Sequence, residues 1–440
     1  MAISARTTVN INTAPRRHIR DKVSIPIRRK SVPTAVRWSF FLFVFAIPFE
    51  ALDLPFMTGF LSLTKIAGLL LAASYFFYFN SVLKNTSFPG VPAAMWWFLG
   101  YFLIAALTGF VTAESHLSQF SIGSLTRLQL VVLFWIISDL LRDTEISTIT
   151  GIIFVGASII LSLAMLFNLF GIPVESVQET MTGFGNFNTL GGVMAVAFVA
   201  AIGLLLKRMF RTVTPNILLA LCLLPLLKVI VATGSRSAIA TAVIGCLVYV
   251  FSFARTRRKF TAIAMLVIGL SASLYLAAHD LVLVEKWEKA YYDHELSGRT
   301  EIYPLAIEMF LERPVLGWGE DHSRELGRRT GHFIRDEHNL LLFLLLEVGL
   351  VGTLPFLVGI WLIVRRAWRA RNGNSGYLPM ALLVAVGANN MIENGLDHTS
   401  KLFWIVLALA LTATPTAVKQ KIIRLNAIQK QRSYEIYHRI

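Results

Sequence analysis

The sequence predicts an all-α polytopic membrane protein with about twelve transmembrane helices and one large loop outside the cytoplasm. Two observations indicate this class. Hydrophobic residues make up 55% of the 440 residues and charged residues only 15%, whereas soluble domains carry about a quarter charged residues. Apolar runs of about 20 residues, long enough to cross the ~30 Å hydrocarbon core of a bilayer, also recur along the chain.

Twelve apolar runs are predicted as transmembrane helices. They cover residues 37–52, 61–79, 93–111, 122–141, 149–170, 189–206, 216–233, 236–253, 260–278, 339–364, 377–393 and 402–414. The first run is the weakest, because Glu50 and Asp53 interrupt it. It lacks a small-residue cleavage site, so a removable signal peptide is not predicted.

The basic residues orient the chain in the membrane. The formal net charge is +15, and Lys and Arg cluster in alternate loops, whereas the short loops 50–60, 112–121 and 171–188 contain none. This is the positive-inside pattern, and it predicts that both termini are cytoplasmic. Nucleic acid is therefore not expected as a partner. The predicted domains are a disordered basic tail (1–36), a transmembrane domain (37–414) with its large loop (279–337), and a second basic tail (415–440).

The loop at residues 279–337 is too long to be a simple connection, and such loops usually have a function. Apolar residues at helical spacing predict a helix within it, which begins near Thr300 and ends before Pro314 and Gly317. Its apolar stripe favours a position on the membrane surface or against the helix bundle. An ordinary packed loop helix is the alternative.

Two arginines on the same side of the membrane are candidate anion ligands. Arg236, in "TGSRSA" (233–238), is a cation in a short non-cytoplasmic loop and lies at a helix N-terminus. The helix dipole there adds to its positive charge, which favours anion binding. The alternative is an interfacial side chain that reaches for water. Arg299, in "SGRTEIY" (297–303), is by itself equally well explained as a solvated loop residue.

His338 is a candidate general base at the start of "HNLLLFLLLEVG". A helix N-terminus disfavours imidazolium, and a neutral imidazole can accept a proton. Asp336 and Glu337 oppose this effect, and a structural polar edge is the alternative role.

Metal and nucleotide chemistry are not predicted. The sequence has no HExxH or paired-cysteine spacing, no Walker A motif and no Asp-x-Asp, and "EDH" (320–322) is the best remaining metal candidate. No cofactor is expected. Cys222 and Cys246 both lie inside predicted spans, where packing is the expected role.

Four stretches in this order carry a family resemblance: "GFGNFN", "TGSRSA", "GRTEIY…ERPVLGWGE" and "HNLLLFLLLEVGLVG". Together they resemble the O-antigen ligase and Wzy-type polymerase superfamily, which includes exopolysaccharide polymerases. The resemblance extends over about residues 180–365. One departure is Phe187, where the family often has proline.

The resemblance implies a metal-independent membrane glycosyltransferase with a GT-C-like fold. Its donor would be a glycan on undecaprenyl diphosphate, and its acceptor a sugar hydroxyl of another lipid-linked glycan or of the lipid A core, in O-antigen, lipopolysaccharide or exopolysaccharide biosynthesis. By the same resemblance Arg236 and Arg299 would bind the diphosphate, and His338 would be the catalytic base. Residues expected to line the cavity are Asn186, Asn188, Ser235 and Asn339, with Lys65, Arg127, Lys228 and Glu393 as further candidates.

The expected location is the bacterial inner membrane, with several passes and a periplasmic active face. Expected partners are the lipid bilayer and other polysaccharide-export proteins. A polysaccharide transporter or flippase is one alternative, and a non-catalytic subunit of a synthesis complex is another. The sequence leaves polymerase and ligase unresolved, because they share a donor and differ only in the acceptor.

Overall fold

The structure, a computed structural model, describes most of the predicted helical segments. The described residues are 32–51, 62–83, 91–112, 117–169, 187–207, 212–252, short pieces between 263 and 284, 299–331, 336–373, 375–392 and 400–414. Within them the chain forms helices and turns and no β-strand, which confirms the all-α class. Most of the predicted ninth span and nearly all of the two basic tails lie outside the described residues.

The described α-helices follow one another in a simple order. They are α1 (Thr34–Ala46), α2 (Leu63–Leu83), α3 (Ala93–Thr112), α4 (Leu117–Leu140), α5 (Thr144–Leu166), α6 (Phe187–Leu206), α7 (Val213–Leu221), α8 (Leu223–Ala232), α9 (Arg236–Ser252), α10 (Arg299–Glu312), α11 (His322–Arg329), α12 (Leu340–Ala370), α13 (Leu378–Ile392) and α14 (Lys401–Thr412). Short 3-10 helices lie at Ile47–Ala51 and Gly319–Asp321.

Six helical segments among the described residues are long and apolar enough to cross a membrane. They are Leu63–Ser81, Ala93–Val111, Thr144–Leu166, Phe187–Leu206, Val213–Ala232 and Leu340–Ala370. Four further predicted spans coincide with the shorter apolar helices Leu128–Leu140, Arg236–Ser252, Leu378–Ile392 and Lys401–Thr412. The structure thus supports a multi-pass membrane protein, and the total of twelve spans stays a prediction.

α6 is the central helix of the bundle. Every residue from Leu190 to Leu206 is buried, because α5, α8, α9 and α13 all pack against it. A helix that is apolar on all sides is expected in such a position. On the outer helices, by contrast, large apolar side chains such as Phe77 and Phe251 are 73% and 76% exposed. An apolar exterior of this kind fits a lipid environment.

Trp404 anchors a second packing centre, formed by aromatic rings of α3, α4 and α14. It is fully buried, and its ring lies 5.2 Å from those of both Phe98 and Phe134. Phe98 in turn meets Phe356 of α12 at 5.5 Å. Edge-to-face and tilted ring pairs at these distances add to the stabilisation from burial.

The predicted span 216–233 consists of two helices in the structure. α7 and α8 meet at Cys222, which ends one helix and precedes the other. Pro225 explains the break, because it has no N–H to donate to the residue four positions earlier and its ring crowds that carbonyl.

α12 is also broken, at Gly349, within the predicted span 339–364. The Gly349 backbone has φ 58° and ψ −163°, a conformation that is essentially restricted to glycine. The part after the break, Leu350–Ala370, is about 30 Å long at ~1.5 Å per residue and is sufficient to cross a bilayer. The part before it, Leu340–Val348, therefore forms a separate short helix above that span.

The loop segment 314–318 lies in the break of α12 and replaces the missing helical hydrogen bonds. Three backbone hydrogen bonds join them: Leu350 N–H to Pro314 O (2.9 Å), Val351 N–H to Val315 O (3.2 Å) and Trp318 N–H to Leu346 O (2.7 Å). Two glycines permit this approach. A β-carbon at Gly349 would lie 2.3 Å from Val315 O, and one at Gly317 would lie 2.5 Å from Leu346 O.

Gly349→Ala is expected to destabilise the protein by about 1–3 kcal/mol from backbone strain, with the clash against Val315 adding to this value. The measurement is the thermal midpoint of the purified protein in detergent. Gly387→Ala is the matched control, because a β-carbon at this exposed position of α13 meets no atom within 4 Å. Equal midpoints for the two variants would contradict the docked arrangement.

Candidate active site

The turn between α8 and α9 presents Arg236 at a helix N-terminus. Gly234, with φ 59°, closes the turn. Ser235 Oγ accepts the Ala238 N–H at 3.4 Å and lies 2.8 Å from Ser237 Oγ, so Ser235 caps the helix that begins at Arg236. The predicted position of Arg236 at a helix N-terminus is confirmed, and its charge adds to the positive end of the helix dipole.

Gly191 brings the start of α6 against this turn. A β-carbon at Gly191 would lie 2.8 Å from Thr233 Oγ1 and 3.2 Å from Ser235 Cβ. The described part of "GFGNFNTLGG" (residues 187–192) and "TGSRSA" (233–238) are therefore neighbours at one end of the bundle.

The helix directions place the start of α12 at this same end. α6 and α9 run parallel, since Val199 packs beside Gly245, and Gly203 lies farther along beside Tyr249. α13 runs antiparallel to both, because its first residue, Leu378, lies beside Gly203. The far end of α13 consequently meets the starts of α6 and α9.

A hydrogen bond fixes α12 to this end of α13. Asn339 Nδ2 donates to Met391 O at 3.0 Å. The Asn339 side-chain oxygen also accepts the N–H groups of Leu341 and Leu342 at 3.0 and 3.2 Å, and so caps α12. The neighbouring His338 thus lies at the end of the bundle that carries Arg236.

His338 lies in a strained turn. Its φ is 52°, an uncommon value for a residue other than glycine. The turn is held by Asp336, whose Oδ1 accepts the His338 N–H at 3.2 Å. Such strain costs about 1–3 kcal/mol and is concentrated at functional sites, where the surrounding structure maintains it.

Arg299 is the first residue of α10, one position before the predicted start at Thr300. The helix buries its apolar stripe in a small core that contains Ile302, Met309 and, from α12, Leu346. Of the two positions predicted for this helix, packing against the bundle is therefore the one observed. Arg299 opens a helix that is fixed to the same short part of α12 that follows His338.

The remaining predicted residues have different positions. Asn188 is half-buried in the first turn of α6, Lys228 is half-buried on α8, and Lys65 is exposed at the start of α2. Asn186 and Glu393 and the side chain of Arg127 lie outside what the structure describes. That any of these residues lines a substrate cavity stays a prediction.

A buried His322–Glu337 pair lies next to His338, and the sequence analysis did not predict it. Both side chains are nearly inaccessible, and His322 Nε2 is 3.4 Å from Glu337 Oε1. His322 Nδ1 lies 2.7 Å from Gly319 O. Because that carbonyl only accepts, Nδ1 carries the hydrogen, and Nε2 of a neutral ring would face the carboxylate with a lone pair.

Ser323 Oγ lies 3.2 Å from the same Nε2, so a hydroxyl group faces the ring beside the carboxylate. Burial raises the pKa of the Glu337 carboxyl, an effect that the nearby His322 partly opposes. The contact between His322 and Glu337 joins the His338 turn to the Gly319–Asp321 turn of the loop. "EDH" (320–322), considered as a metal candidate, contributes to this pair instead.

Two further groups of buried polar residues lie in the bundle. Tyr101 OH on α3 donates to Glu347 Oε2 on α12 at 2.9 Å, with both residues buried. Asn389 and Asn390, near the end of α13, are fully buried, and their side-chain amides make no hydrogen bond among the described residues. A glutamate within "LLLFLLLEVG" and an "NN" pair within an apolar span were the available sequence signals.

Metal ligands are not grouped in the part of the chain that the structure describes. No set of three or more His, Cys, Asp or Glu side chains there is arranged to hold a metal ion. The free cysteines Cys222 and Cys246 are half-buried and buried, and burial accords with the packing role expected for them.

A comparison with known protein families finds a match over the central part of the chain. Residues 220–357 match the O-antigen ligase family. The predicted resemblance to the O-antigen ligase and Wzy-type polymerase superfamily is thereby confirmed. The O-antigen ligase region begins in α7, ends in α12 and includes Arg236, Arg299 and His338, while it covers less than half of the chain. No curated protein matches the chain.

The raised pKa of the buried Glu337 carboxyl gives a pH prediction. The folded-state pKa of Glu337 is raised above its ordinary value of 4.5. The stability that the protonated carboxyl contributes is therefore complete below pH 4.5, and it is lost as the pH rises through the higher folded-state pKa. The thermal midpoint in detergent should fall over this window. Glu337→Gln should remove this component, because an amide does not titrate.

Glu337→Ala is the companion variant. It leaves His322 buried without its partner and should cost about 1–3 kcal/mol. If wild type and Glu337→Gln lost stability equally with rising pH, titration of the Glu337 carboxyl would be the wrong explanation for the loss.

Proposed function

We propose that the protein is a membrane glycosyltransferase of surface-polysaccharide synthesis, which moves a glycan from undecaprenyl diphosphate to an acceptor sugar hydroxyl. The observation that carries the proposal is the O-antigen ligase match across the Arg236 turn, the Arg299 helix and the His338 turn. That family indicates ligation or polymerisation of polysaccharide. In this proposal the transmembrane domain 37–414 is the catalytic unit, and the loop 279–337 is periplasmic.

The arginines suit a diphosphate leaving group. When the bond between the anomeric carbon and the phosphate oxygen breaks, negative charge develops on the diphosphate. Guanidinium groups match phosphate oxygens with paired N–H donors, and a helix N-terminus contributes further positive potential. Arg236 has this position on α9, and Arg299 has it on α10. Both hold the departing lipid diphosphate in the proposed reaction.

His338 acts as the general base in the proposed reaction. A neutral imidazole nitrogen accepts the proton of the acceptor hydroxyl, the hydroxyl oxygen bonds to the anomeric carbon, and the diphosphate leaves with the bonding electrons. The capped start of α12 and the Asp336 hydrogen bond hold the turn that carries His338. A fixed position is what a general base needs, because proton transfer requires hydrogen-bond reach.

A single displacement, with inversion at the anomeric carbon, is the simplest course of this reaction. Double displacement requires a carboxylate nucleophile. Glu337 does not suit this role because it is buried against His322. Asp336 holds the His338 backbone through one of its oxygens, and Asp397 lies outside the described residues.

The alternatives are a transporter or flippase and a non-catalytic subunit. Both leave the arginines and His338 without a chemical role. In the proposed setting the donor is a lipid-linked glycan in the bacterial inner membrane, and the acceptor is another lipid-linked glycan or the lipid A core. No metal or other cofactor takes part in the proposed step.

His338→Ala is expected to lower glycan transfer about 10²–10⁴-fold, because general-base catalysis is lost. Arg236→Ala should lower it about 10²–10³-fold through loss of charge stabilisation, and Arg236→Lys should restore only part of the activity. Transfer is measured with purified protein in liposomes that contain the lipid-linked donor. Phe77→Ala, at an exposed position of α2, is the control. Unchanged transfer in both His338→Ala and Arg236→Ala would exclude the enzyme hypothesis.

A deletion strain distinguishes the two acceptors. Accumulated lipid-linked single repeats without long chains indicate a polymerase, and long chains that remain on the lipid carrier indicate a ligase. Complementation with His338→Ala, with membrane insertion checked by immunoblot, should leave the same defect as the deletion.

The proposed orientation is tested by cysteine labelling in a background without Cys222 and Cys246. Glu308 on α10 and Asn372 between α12 and α13 are both exposed. A cysteine at residue 308 should react with a membrane-impermeant maleimide in cells with a permeabilised outer membrane, and one at residue 372 should react only after lysis. The reverse pattern would contradict the periplasmic position of the loop.

A further inference from the structure

An elongated cleft lies at the end of the bundle opposite the candidate active site. It runs between α5, α6, α13 and α14, and Lys207, directly after the end of α6, lies at one end of it. Lys207 is thus separated from the Arg236 turn by most of the length of α6, because Gly191 near the start of α6 packs against that turn. The cleft is therefore a different site from the one proposed for glycan transfer.

The walls of the cleft are apolar over a length suited to a hydrocarbon chain. Val196, Ala200 and Leu204 contribute successive turns of α6, and these turns extend over about 12 Å at ~1.5 Å per residue. Leu402 and Leu409 line the cleft over a similar length of α14. Apolar walls that extend over this length suit an acyl chain better than a compact polar molecule.

The polar end of the cleft has a cation without a counter-ion. Lys207 is half-buried, and burial lowers the pKa of its ammonium group. No described acidic side chain pairs with it. The acidic residues at the start of α5, Asp143 and Glu145, lie 3.7 and 3.3 Å from Arg37 instead. A buried cation is costly unless an anion compensates it.

Hydroxyl groups surround this end of the cleft. Ser147 and Thr150 of α5 and Ser375, just before α13, line it together with Lys207. Thr150 Oγ1 donates to Ile146 O at 2.7 Å and keeps acceptor capacity only, whereas Ser147 and Ser375 make no side-chain hydrogen bond among the described residues. Serine hydroxyls beside an ammonium group form a donor set suited to phosphate oxygens.

We propose that this cleft binds an anionic phospholipid, with the headgroup phosphate at Lys207 and one acyl chain along α6 and α14. The ligand supplies the charge that Lys207 lacks and fills the apolar slot between four helices. Lys207 and the basic residues that follow it, Arg208 and Arg211, belong to a loop predicted to be cytoplasmic, where anionic headgroups attract lysine and arginine. The proposal does not depend on the glycosyltransferase activity.

The test uses the full-length protein, delipidated in neutral detergent. Its thermal midpoint is measured with added short-chain phosphatidylglycerol, phosphatidylcholine or inorganic phosphate at equal concentrations. Phosphatidylglycerol should raise the midpoint most, and inorganic phosphate alone should not raise it. In Lys207→Met the apparent affinity for phosphatidylglycerol should fall about five- to tenfold. Lys228→Met, at a half-buried position on α8 away from the cleft, should keep the wild-type response.

Lys207→Met is expected to fold, because it removes a half-buried unpaired charge, and its lipid-free midpoint should equal or exceed that of wild type. An equal response to phosphatidylcholine, a full response to inorganic phosphate alone, or an undiminished response of Lys207→Met would each overturn the proposal.

A second variant tests the position of the acyl chain while leaving Lys207 in place. Leu409→Trp fills the cleft from α14 and should abolish retention of co-purified phospholipid in native mass spectrometry, whereas Leu409→Met should retain it. Retention of lipid by a correctly folded Leu409→Trp protein would show that the acyl chain lies elsewhere and would overturn the proposed binding mode.

Discussion

The backbone pairing between the loop segment 314–318 and the break in α12 determines the arrangement of the candidate active site. Hydrocarbon provides no hydrogen-bond partners, so irregular backbone at membrane depth is stable only where protein satisfies it. The break at Gly349 meets this condition because Leu350, Val351 and Trp318 exchange backbone hydrogen bonds with the opposite segment. The loop is thus held as part of the bundle. The helix that begins at Arg299 and the turn that carries His338 are both positioned by this attachment.

Charge is distributed differently at the two ends of the bundle. At one end, Arg236 stands at a helix N-terminus beside a serine cap, and His338 occupies a turn that the His322–Glu337 pair joins to the loop. At the other end, Lys207 faces an apolar cleft without a described acidic partner. Cations at both ends are consistent with the two phosphate sites proposed above. In these proposals the two ends differ in chemistry, because the general base, His338, belongs to the Arg236 end.

Much of the architecture follows from local sequence signals. Apolar length predicts the helices, the Gly234–Ser235 turn predicts where α9 begins, and helical spacing predicts the loop helix. The breaks within the predicted spans, near Pro225 and at Gly349, are harder to predict from local sequence. Pro225 signals one of them, although proline is tolerated in many membrane helices. Gly349 gives no such signal, because its conformation depends on a partner segment more than 30 residues earlier in the chain. The contact between His322 and Glu337 depends likewise on tertiary structure and on burial, neither of which spacing reveals.

Because α6 is completely buried, insertion into the membrane and packing in the folded bundle place different requirements on its sequence. Its mean hydropathy of 2.3 qualifies it to enter a bilayer, yet from Leu190 to Leu206 it meets protein and not lipid in the folded bundle. Its apolar character is therefore needed for insertion into the bilayer, before the neighbouring helices surround it. Its glycines and alanines are needed later, because small side chains allow those helices to pack closely. A polar substitution in α6 that finds a partner in the finished bundle would be penalised during biogenesis, so tolerance measured on purified protein and tolerance measured in cells should differ most for this helix.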